Sequence, residues 1–461
     1  MKEFTAGEIA RALSGELIQG DPETVFAGVS TDTRQMKAGD LFIALVGERF
    51  DAHDFTDAAI ASGAAGLVVN RRVNNGGWQG PVVLVKDTLA LLQGLARYNR
   101  QHYRGLVVGV TGSNGKTTTK DMIATVLEQK YTTLKTAGNF NNEIGLPLTL
   151  LKLDDSYGAA VIEMGMRGLG EINLLAGMAE PDGAVITNIG ETHLARLGTV
   201  GNIAKAKGEI LDHIAPTGFG VLNGDDRLVR QQAARCRGRV IFYGTTGDSA
   251  IRAHDITSPD GRTLRFTVDS PVGAVNIELP VPGRHNVLNA LAAVGVGLEA
   301  GLSLAQIKHG LEGIRLTSRR LEIIENDGIT IINDTYNANP ASVKAALHIL
   351  TDMGKGRRKV AILGDMYELG RRAIEGHQEV GAEAAAVHTD ILITVGHLAH
   401  EIALGATMAV EAPAEIISLN TNAEVKAHLA KIIRRGDVVL VKGSRGMKLE
   451  EVVASLGALN K

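Results

Sequence analysis

The residue types that could do chemistry are densest between 107 and 120, where the sequence is Val-Val-Gly-Val-Thr-Gly-Ser-Asn-Gly-Lys-Thr-Thr-Thr-Lys. An apolar, β-branched segment enters a glycine-containing turn, and a helical pattern from Lys116 to about Gln129 follows. This order of strand, glycine loop and helix is typical of a phosphate-binding loop, because glycines let backbone N–H groups point toward phosphate. In such a loop Lys116 would hold the β- and γ-phosphates, and the Thr117 hydroxyl would ligate Mg²⁺.

The loop departs from the strict phosphate-loop pattern at one position. A glycine is required five residues before Gly115, and Val110 stands there, whereas Gly112 lies three residues before it. The alternative is an ordinary strand–turn–helix with a chance Gly-Lys-Thr. The combined strand, loop and helix favour the phosphate site, which would comprise Gly112, Ser113, Asn114, Gly115, Lys116, Thr117 and Thr118.

Two further polar side chains follow apolar segments. Glu163 ends the segment 159–164, and a carboxylate at the end of a buried strand could hold Mg²⁺ directly or through water. His193 follows the apolar segment that begins at Val185. A lone histidine is more often structural, but its place after a strand of the same predicted sheet keeps a metal-ligand role open.

Amide side chains are concentrated in two segments of the same region. Residues 136–145 contain Asn139, Asn141 and Asn142, whose amides offer directional hydrogen bonds to a polar substrate without adding charge. A predicted helix from about 282 to 298 places Asn286 and Asn289 on one face. The segment 202–211 contains Lys205, Lys207 and Glu209, and its pattern by itself predicts a solvated helix face.

The composition narrows the class of protein. The chain has 461 residues, a formal net charge of −3 and 4% aromatic residues, so neither a basic field nor a base-stacking surface points to nucleic acid. A single cysteine, Cys236, excludes a disulfide framework and fits a reducing compartment. The amino-terminal sequence lacks the apolar core of a signal peptide, and no apolar run reaches membrane-spanning length. We therefore expect a soluble, cytoplasmic protein and a monomer.

Alternating strand and helix patterns predict three α/β units. The first, 1–105, opens with Thr5 and Glu8 at the spacing of a capping box. The second, 106–317, contains the phosphate loop and a β-rich addition at 238–243 and 250–281. The third, 318–461, alternates strand and helix patterns and predicts a mostly parallel, doubly wound sheet. Its strands are predicted at 330–332, 360–363, 391–395 and 438–441, with helices between them that include 342–350 and 423–433.

Polar loops of the third unit follow its predicted strands, at the edge where open α/β sheets bind ligands. They are residues 333–340, 364–370 and 442–445. The unit contains no Gly-x-Gly-x-x-Gly, so a dinucleotide is not indicated.

Taken jointly, these motifs resemble the Mur ligases, ATP-dependent enzymes that form amide bonds in peptidoglycan synthesis. The resemblance covers the whole chain, and the loop from Thr111 to Thr117 has the family's form, which explains the missing glycine. Asp-Thr-Tyr-Asn-Ala-Asn-Pro (334–340) and Gly-Asp-Met-Tyr-Glu-Leu-Gly (364–370) resemble segments of the member that adds D-Ala-D-Ala. The Asp-Asn-Pro-Arg of the diaminopimelate- or lysine-adding member is absent. Small departures are Thr33, where Ser is commoner, and Gly446, where Ala is commoner.

The resemblance implies a role for each unit. Residues 1–105 would bind the UDP-sugar, 106–317 would form the ATP-binding domain with its phosphate loop, and 318–461 would be a Rossmann-like ligase domain. The UDP-sugar would be held by the loop 47–55 and by Ser30, Thr31, Asp32, Thr33 and Arg34. Asn139, Asn141 and Asn142 would lie along the muramyl-peptide.

The resemblance also implies ligands for the metal and the nucleotide. Glu163 and His193 would bind Mg²⁺ together with Thr117, and Lys207 would be carbamylated so that its carbamate also binds Mg²⁺. Asn286 and Asn289 would contact adenine, Arg320 would lie near the hinge, and Asp334 would reach the nucleotide. Asn337, Asn339 and the 442–445 loop would help to close the site, and Arg445 could pair with the carboxylate of the dipeptide.

The implied reaction joins D-Ala-D-Ala to UDP-N-acetylmuramoyl-tripeptide through an acyl phosphate, with ATP and Mg²⁺ as cofactors and with Lys116, Glu163, His193 and Lys207 as catalytic residues. The nearest alternative is a ligase of the same chemistry that adds another amino acid, such as a diaminopimelate- or lysine-adding Mur ligase or folylpolyglutamate synthase. Alternatives of other classes are a phosphate-loop GTPase or ATPase and a non-catalytic UDP-sugar-binding protein. The chain contains neither Asn-Lys-x-Asp nor an ABC-type signature, which disfavours the first of these.

Overall fold

The structure is a computed structural model that describes residues 4–47, 50–316 and 319–459. It contains three sheets in chain order, each covered by helices, as expected of an α/β protein. The predicted ligand loop 47–55 falls in part outside the described residues.

The first sheet has five strands in the order β1-β5-β4-β3-β2, and only β1 is antiparallel to its neighbour. Its strands are β1 (Glu16–Gln19), β2 (Gly28–Ser30), β3 (Asp40–Ile43), β4 (Gly66–Val69) and β5 (Val82–Leu84), and its helices are α1 (Ala6–Ala12), α2 (Thr56–Ala61) and α3 (Thr88–His102). The predicted capping box is confirmed, because Thr5 and Glu8 exchange backbone–side-chain hydrogen bonds at the start of α1.

The central sheet has nine strands in the order β14-β13-β12-β11-β10-β9-β6-β8-β7. The strands are β6 (Leu106–Thr111), β7 (Thr133–Lys135), β8 (Ala159–Glu163), β9 (Gly183–Ile186), β10 (Phe219–Asn223), β11 (Arg239–Gly244), β12 (Ile251–Thr257), β13 (Leu264–Ser270) and β14 (Gly273–Leu279). The predicted β-rich addition is confirmed, and its antiparallel strands β12 to β14 extend the parallel part of the same sheet.

Helices cover both faces of the parallel part. They are α4 (Lys116–Leu127), α5 (Gly145–Leu150), α6 (Glu171–Ala179), α7 (Leu194–Leu197), α8 (Val200–Gly208), α9 (Arg227–Gln232), α10 (His285–Glu299) and α11 (Leu304–Glu312). Strands β8 and β9 are buried along their whole length, since α4 and α10 pack on one face and α5 and α6 lie in the core of the other.

The third sheet has six strands in the order β15-β16-β20-β17-β18-β19, and only β15 is antiparallel. Its elements are β15 (Glu322–Asn326), β16 (Ile329–Asp334), α12 (Pro340–Met353), β17 (Lys359–Gly364), α13 (Ala373–Ala386), β18 (Ile391–Val395), α14 (His400–Thr407), β19 (Glu415–Leu419), α15 (Asn422–Ile432), β20 (Val438–Lys442) and α16 (Glu450–Gly457). The four predicted strands are confirmed. The edge strands β15 and β19 were not predicted, because each is half-exposed and has an apolar run of only two residues, shorter than that of a buried strand.

Helix α3 joins the first sheet to the central one, because it packs on α5 and α6 and belongs to a core shared by both sheets. The buried Arg100 guanidinium on α3 donates at 2.7 Å to the carbonyl of Ala179 and at 2.7 Å to that of Glu180. A second arginine of α3, Arg97, forms an exposed ion pair with Glu180 at 3.0 Å.

Replacing Arg100 with Met should lower the free energy of unfolding by roughly 2–4 kcal/mol, because two buried carbonyls lose a charged donor. The measurement is urea unfolding followed by circular dichroism. Arg97→Met is the matched control on the same helix and should cost less than about 1 kcal/mol, since its ion pair is exposed. Equal losses for the two variants would contradict the structural role of Arg100.

Candidate active site

The turn between β6 and α4 requires glycine at two positions. Gly112 has φ +149°, and a Cβ there would lie 1.8 Å from Thr187 Oγ1. Gly115 has φ +79°, and a Cβ there would lie 2.6 Å from Asn289 Oδ1. The sequence therefore forms a close turn whose residues from Ser113 to Thr118 line a cleft, and Lys116 begins the helix that follows.

Two lysine amines converge on one backbone carbonyl beneath this turn. Lys116 Nζ donates to the Gly112 oxygen at 2.8 Å, and Lys207 Nζ donates to the same oxygen at 3.0 Å. Burial lowers the pKa of Lys116, which the Glu163 carboxylate partly restores. Burial and the Lys116 charge hold the pKa of Lys207 well below its usual range. The solvated face suggested by the pattern of 202–211 alone is thus wrong for Lys207, although Lys205 is exposed.

Glu163 is the buried carboxylate of the site and ends β8, as the sequence indicated. Its Oε2 accepts from the Thr117 hydroxyl at 2.8 Å, and its Oε1 accepts from Asn141 Nδ2 at 2.7 Å. The backbone N–H of Glu163 donates to Thr136 Oγ1 at 2.9 Å. The carboxylate therefore lies directly against the hydroxyl of the phosphate loop, in an orientation fixed from two sides.

The two asparagines of α10 have different environments. Asn289 lines the cleft, and its Oδ1 accepts from Thr119 Oγ1 at 3.0 Å. Asn286 is buried behind it, donates to the Pro282 carbonyl at 2.7 Å and accepts from Asn289 Nδ2 at 2.8 Å. Asn286 is not among the residues that line the cleft, and it supports Asn289 from behind the lining.

His193 precedes α7 in the left-handed backbone region, with φ +64°. Its Nδ1 lies 3.2 Å from Glu368 Oε2 of the third sheet's side of the cleft. Burial, followed by the charges of Lys207 and Lys116, lowers the pKa of His193 to about 4. The imidazole is therefore neutral near pH 7, the form that can accept a hydrogen bond or ligate a metal.

The loops of the third sheet close over the phosphate loop. Lys442 Nζ pairs with Asp334 Oδ2 at 2.6 Å and donates to the Asn337 carbonyl at 2.8 Å. Asn339 caps α12 by accepting from the Ser342 N–H, and its Nδ2 donates to Asn114 Oδ1 at 2.7 Å. A second bridge joins Arg372 to Glu191 at 2.6 Å.

These elements enclose a cleft of about 690 Å³ between the central and third sheets. The structure brings together most of the residues that the sequence proposed. The cleft is lined by Ser113, Asn114, Gly115, Lys116, Thr117, Thr118, Asn139, Asn141, Asn142, Glu163, His193, Asn289, Arg320, Asp334, Asn337, Asn339 and Arg445. Lys207 and Gly112 lie directly behind this lining and contact one another.

The proposed UDP-sugar residues, Ser30, Thr31, Asp32, Thr33 and Arg34, are not part of this lining. They lie at the carboxyl end of β2 in the first sheet. Asp32 pairs with Arg34 at 2.7 Å, and this contact lowers the pKa of Asp32. The structure therefore places them as a separate polar loop of the first sheet.

Several residues that line the cleft were not assigned a role from the sequence, and three of them have side chains able to bind or stack on a ligand. His285 precedes Asn286 at the start of α10, and burial lowers its pKa. Tyr336 and Tyr367 lie within the loops that the sequence singled out, but their rings were not assigned a role. An aromatic residue at the centre of such a polar loop was the available signal for both.

Within residues 4–47, 50–316 and 319–459, no three His, Cys, Asp or Glu side chains converge as a metal cluster. Across the same residues, no helix combines the length and the apolar character that crossing a membrane requires.

Three known protein-domain families match this chain, one in the region of each sheet. Residues 25–100 match the model of the Mur ligase family, catalytic domain; residues 110–297 match the Mur ligase middle domain; and residues 319–445 match the Mur ligase, glutamate ligase domain. The UDP-N-acetylmuramoyl-tripeptide–D-alanyl-D-alanine ligase of Bacillus subtilis is 42% identical, over 99% of this chain and 99% of that protein.

Two solved structures are similar over nearly the whole chain. The crystal structure of MurF from Acinetobacter baumannii has a TM-score of 0.92 and 33% identity, and the match covers 100% of both chains. MurF ligase from Thermotoga maritima in complex with ADP has a TM-score of 0.82 and 30% identity, over 94% of this chain and 97% of that one. The chain therefore belongs to the Mur ligase family.

Proposed function

We propose that the protein is an ATP-dependent ligase that joins D-Ala-D-Ala to UDP-N-acetylmuramoyl-tripeptide in peptidoglycan precursor synthesis. The observation that carries this proposal is the cleft itself. One wall holds the phosphate loop with Lys116, Thr117 and Glu163, and the other wall holds the loops 334–340 and 364–370 of the third sheet. Relatives that are similar to this chain over nearly their whole length are named UDP-N-acetylmuramoyl-tripeptide–D-alanyl-D-alanine ligase.

The proposed reaction has two steps, both of which take place in the cleft between the two walls. The terminal carboxylate of the tripeptide attacks the γ-phosphorus of ATP, the bond to the β,γ-bridging oxygen breaks, and ADP leaves. The amine of D-Ala-D-Ala then attacks the acyl carbon, inorganic phosphate leaves, and the amine loses a proton. The first step brings two anions together, so cationic groups must stabilise the charge that develops on the transferring phosphoryl group. Lys116 is the group of this chain placed to do so.

The donor set of the site fits Mg²⁺. The Thr117 hydroxyl and the Glu163 carboxylate are adjacent oxygen donors, and Mg²⁺ in phosphoryl-transfer sites is held by one or two carboxylates together with substrate phosphates. The neutral His193 imidazole would complete this side. When bound, the ion neutralises phosphate charge; the chain's own residues orient it.

Lys207 fits the carbamate that the resemblance implies. Burial favours its neutral amine, and a neutral amine is the form that reacts with CO₂. A carbamate would place an anion beside the Lys116 amine, which adds an attractive contact and a potential oxygen ligand for Mg²⁺.

The remaining assignments follow from position. Asn289 would contact adenine with Asn286 behind it, and Asp334 would reach the nucleotide from the opposite wall. Asn139, Asn141 and Asn142 would lie along the muramyl-peptide, and the loop Ser30–Arg34 would hold the UDP end. We assign residues 1–105, 106–317 and 318–461 as the UDP-sugar-binding, ATP-binding and ligase domains. We further propose that the enzyme acts as a monomer in the cytoplasm, the compartment that fits its single cysteine.

In the proposed reaction, closure of the third sheet's loops over the phosphate loop protects the acyl phosphate from water. An acyl phosphate is hydrolysed by water, so the loops must exclude water before it forms. The bridges from Asn339 to Asn114 and from Arg372 to Glu191 hold these loops over the phosphate loop.

Lys116→Ala should reduce turnover about 10²- to 10³-fold, because one donor to the transferring phosphoryl group is lost. Its fold should persist, since Lys116 lines the cleft and is not part of an apolar core. Phosphate release and thermal unfolding measure the two effects. Lys205→Ala, an exposed lysine of α8, is the control and should match the wild type. Near-normal phosphate release by a folded Lys116→Ala protein would contradict the assignment.

The double variant Asn339→Ser with Arg372→Met should open the cleft, because both bridges are lost while Ser still caps α12. Each bridge contributes roughly 0.5–1.5 kcal/mol, so the ratio of open to closed protein should rise about tenfold. Small-angle X-ray scattering should show a larger radius of gyration. The control is Arg371→Met, whose exposed side chain forms no ion pair with a described residue. Identical scattering from all three proteins would show that closure does not depend on these bridges.

With equal concentrations of D-Ala-D-Ala, meso-diaminopimelate, L-Lys and glutamate, the main product should carry D-Ala-D-Ala. Beside the contacts Asp334–Lys442 and Glu368–His193, the loops of the third sheet offer neutral amides and Arg445, so a second charged head group of diaminopimelate would be left desolvated and unpaired. Product mass is the measurement, and discrimination should appear in kcat/KM. A main product bearing diaminopimelate, lysine or glutamate would overturn the substrate assignment and leave the ligase chemistry standing.

A further inference from the structure

Two arginines of the cleft share one aromatic ring. The guanidinium carbon of Arg320 lies 3.9 Å from the centroid of the Tyr336 ring, and that of Arg445 lies 5.1 Å from it. The two cations are therefore at most about 9 Å apart. Neither guanidinium forms an ion pair or hydrogen bond with any residue that the structure describes. Two uncompensated cations so close together are arranged for anionic ligands.

The ring itself is held firmly. Tyr336 is half-buried in the short segment between β16 and α12. Lys442 fixes this segment by binding Asp334 and the Asn337 carbonyl, and Asn339 fixes its other end as the cap of α12. Because its segment is held at both ends, the Tyr336 ring can fix the position of a flexible side chain that packs against it.

The two arginines come from different segments of the third sheet's wall. Arg320 lies just before β15, and its charge lowers the pKa of Lys116. Arg445 begins a short 3-10 helix, Arg445–Met447, after β20. The Tyr336 ring therefore attracts two cations that start from separate parts of the chain.

The backbone that carries Arg445 is fastened separately by Tyr367. The Tyr367 N–H donates to Ser444 Oγ at 2.8 Å, and its hydroxyl contacts Met447 Sδ at 2.8 Å. Gly446 allows this packing, since a Cβ there would lie 2.9 Å from Cε2 of Tyr367. Tyr367 thus fixes the main chain of Arg445, whereas Tyr336 contacts its guanidinium.

We propose that Tyr336 is a positioning residue that holds the Arg445 guanidinium in place for the carboxylate of the incoming dipeptide. This inference rests on the proposed function. The dipeptide's carboxylate stays ionised throughout the reaction, and Arg445 is a cleft-lining cation of the third sheet that has no ion-pair partner among the described residues. A long arginine side chain that is already ordered loses less conformational entropy on binding, so the ring improves affinity without touching the substrate.

The test compares D-Ala-D-Ala with D-alanyl-D-alanine amide, in which a neutral amide replaces the carboxylate. In the wild type, KM for the amide should be at least about tenfold higher. Tyr336→Leu removes the ring's attraction and should raise KM for D-Ala-D-Ala about five- to tenfold, with less than about a twofold change for the amide. Tyr336→Phe keeps the ring and should match the wild type on both substrates.

A double-mutant cycle separates positioning from a general structural effect. In an Arg445→Met background, Tyr336→Leu should cause no further rise in KM for D-Ala-D-Ala, because it acts through the missing guanidinium. Tyr131→Leu is the matched control: its ring lies 5.1 Å from Lys130 Nζ, outside the cleft, and its loss should leave the preference for the dipeptide over the amide unchanged.

The outcomes distinguish the inference from the proposed function. A wild type that ligates neither compound would overturn both. A wild type that ligates normally, with a Tyr336→Leu variant that keeps the full preference for the dipeptide, would overturn the inference alone. The same result follows if Tyr336→Leu raises KM equally in the presence and absence of Arg445.

Discussion

The burial of two amines beside one carbonyl is the constraint on which the site depends. Lys116 and Lys207 both donate to the Gly112 oxygen, and burial disfavours the charged form of both amines. The carboxylate of Glu163 offsets part of this effect at Lys116. Two ammonium groups side by side are therefore disfavoured in the free site, and a polyphosphate or a carboxylate-bearing substrate supplies the negative charge that stabilises them. The phosphate loop follows from the same constraint, because its glycines let backbone donors approach the anion without adding further charge.

The opposite wall of the cleft, formed by loops of the third sheet, pairs or groups its charged side chains. Asp334 is neutralised by Lys442, and Asn339 contacts the phosphate loop through a neutral amide. Two cations of this wall, Arg320 and Arg445, are grouped on the Tyr336 ring. Its other cleft-lining carboxylate, Glu368, lies against the His193 imidazole. The third sheet thus faces the phosphate loop with a neutralised Asp334, a neutral amide and two arginines that suit anionic groups.

The sequence predicted what is local and could not predict what is distant. The phosphate loop and Glu163 follow from contiguous patterns of apolar and small residues, so their place was predictable. Lys207 was not predictable from the pattern, because Lys205 on the same short helix is exposed and only packing shows which side is buried. The contact of Asn114 with Asn339 joins residues 225 positions apart, and no local pattern encodes it. Asn286 shares a helix face with Asn289 as predicted, yet depth within the core makes it a support for its neighbour.

The core shared through α3 has a consequence for how the chain loses its structure. One apolar cluster runs without interruption from Phe4 through α3 into the central sheet, whereas the third sheet has clusters of its own. The first two sheets should therefore melt as a single cooperative block, and the third should be able to melt apart from it. The third sheet, whose closure over the phosphate loop we propose, is thus also the part whose folding is least coupled to the rest. Opening of the cleft need not disturb the apolar core that holds the phosphate loop.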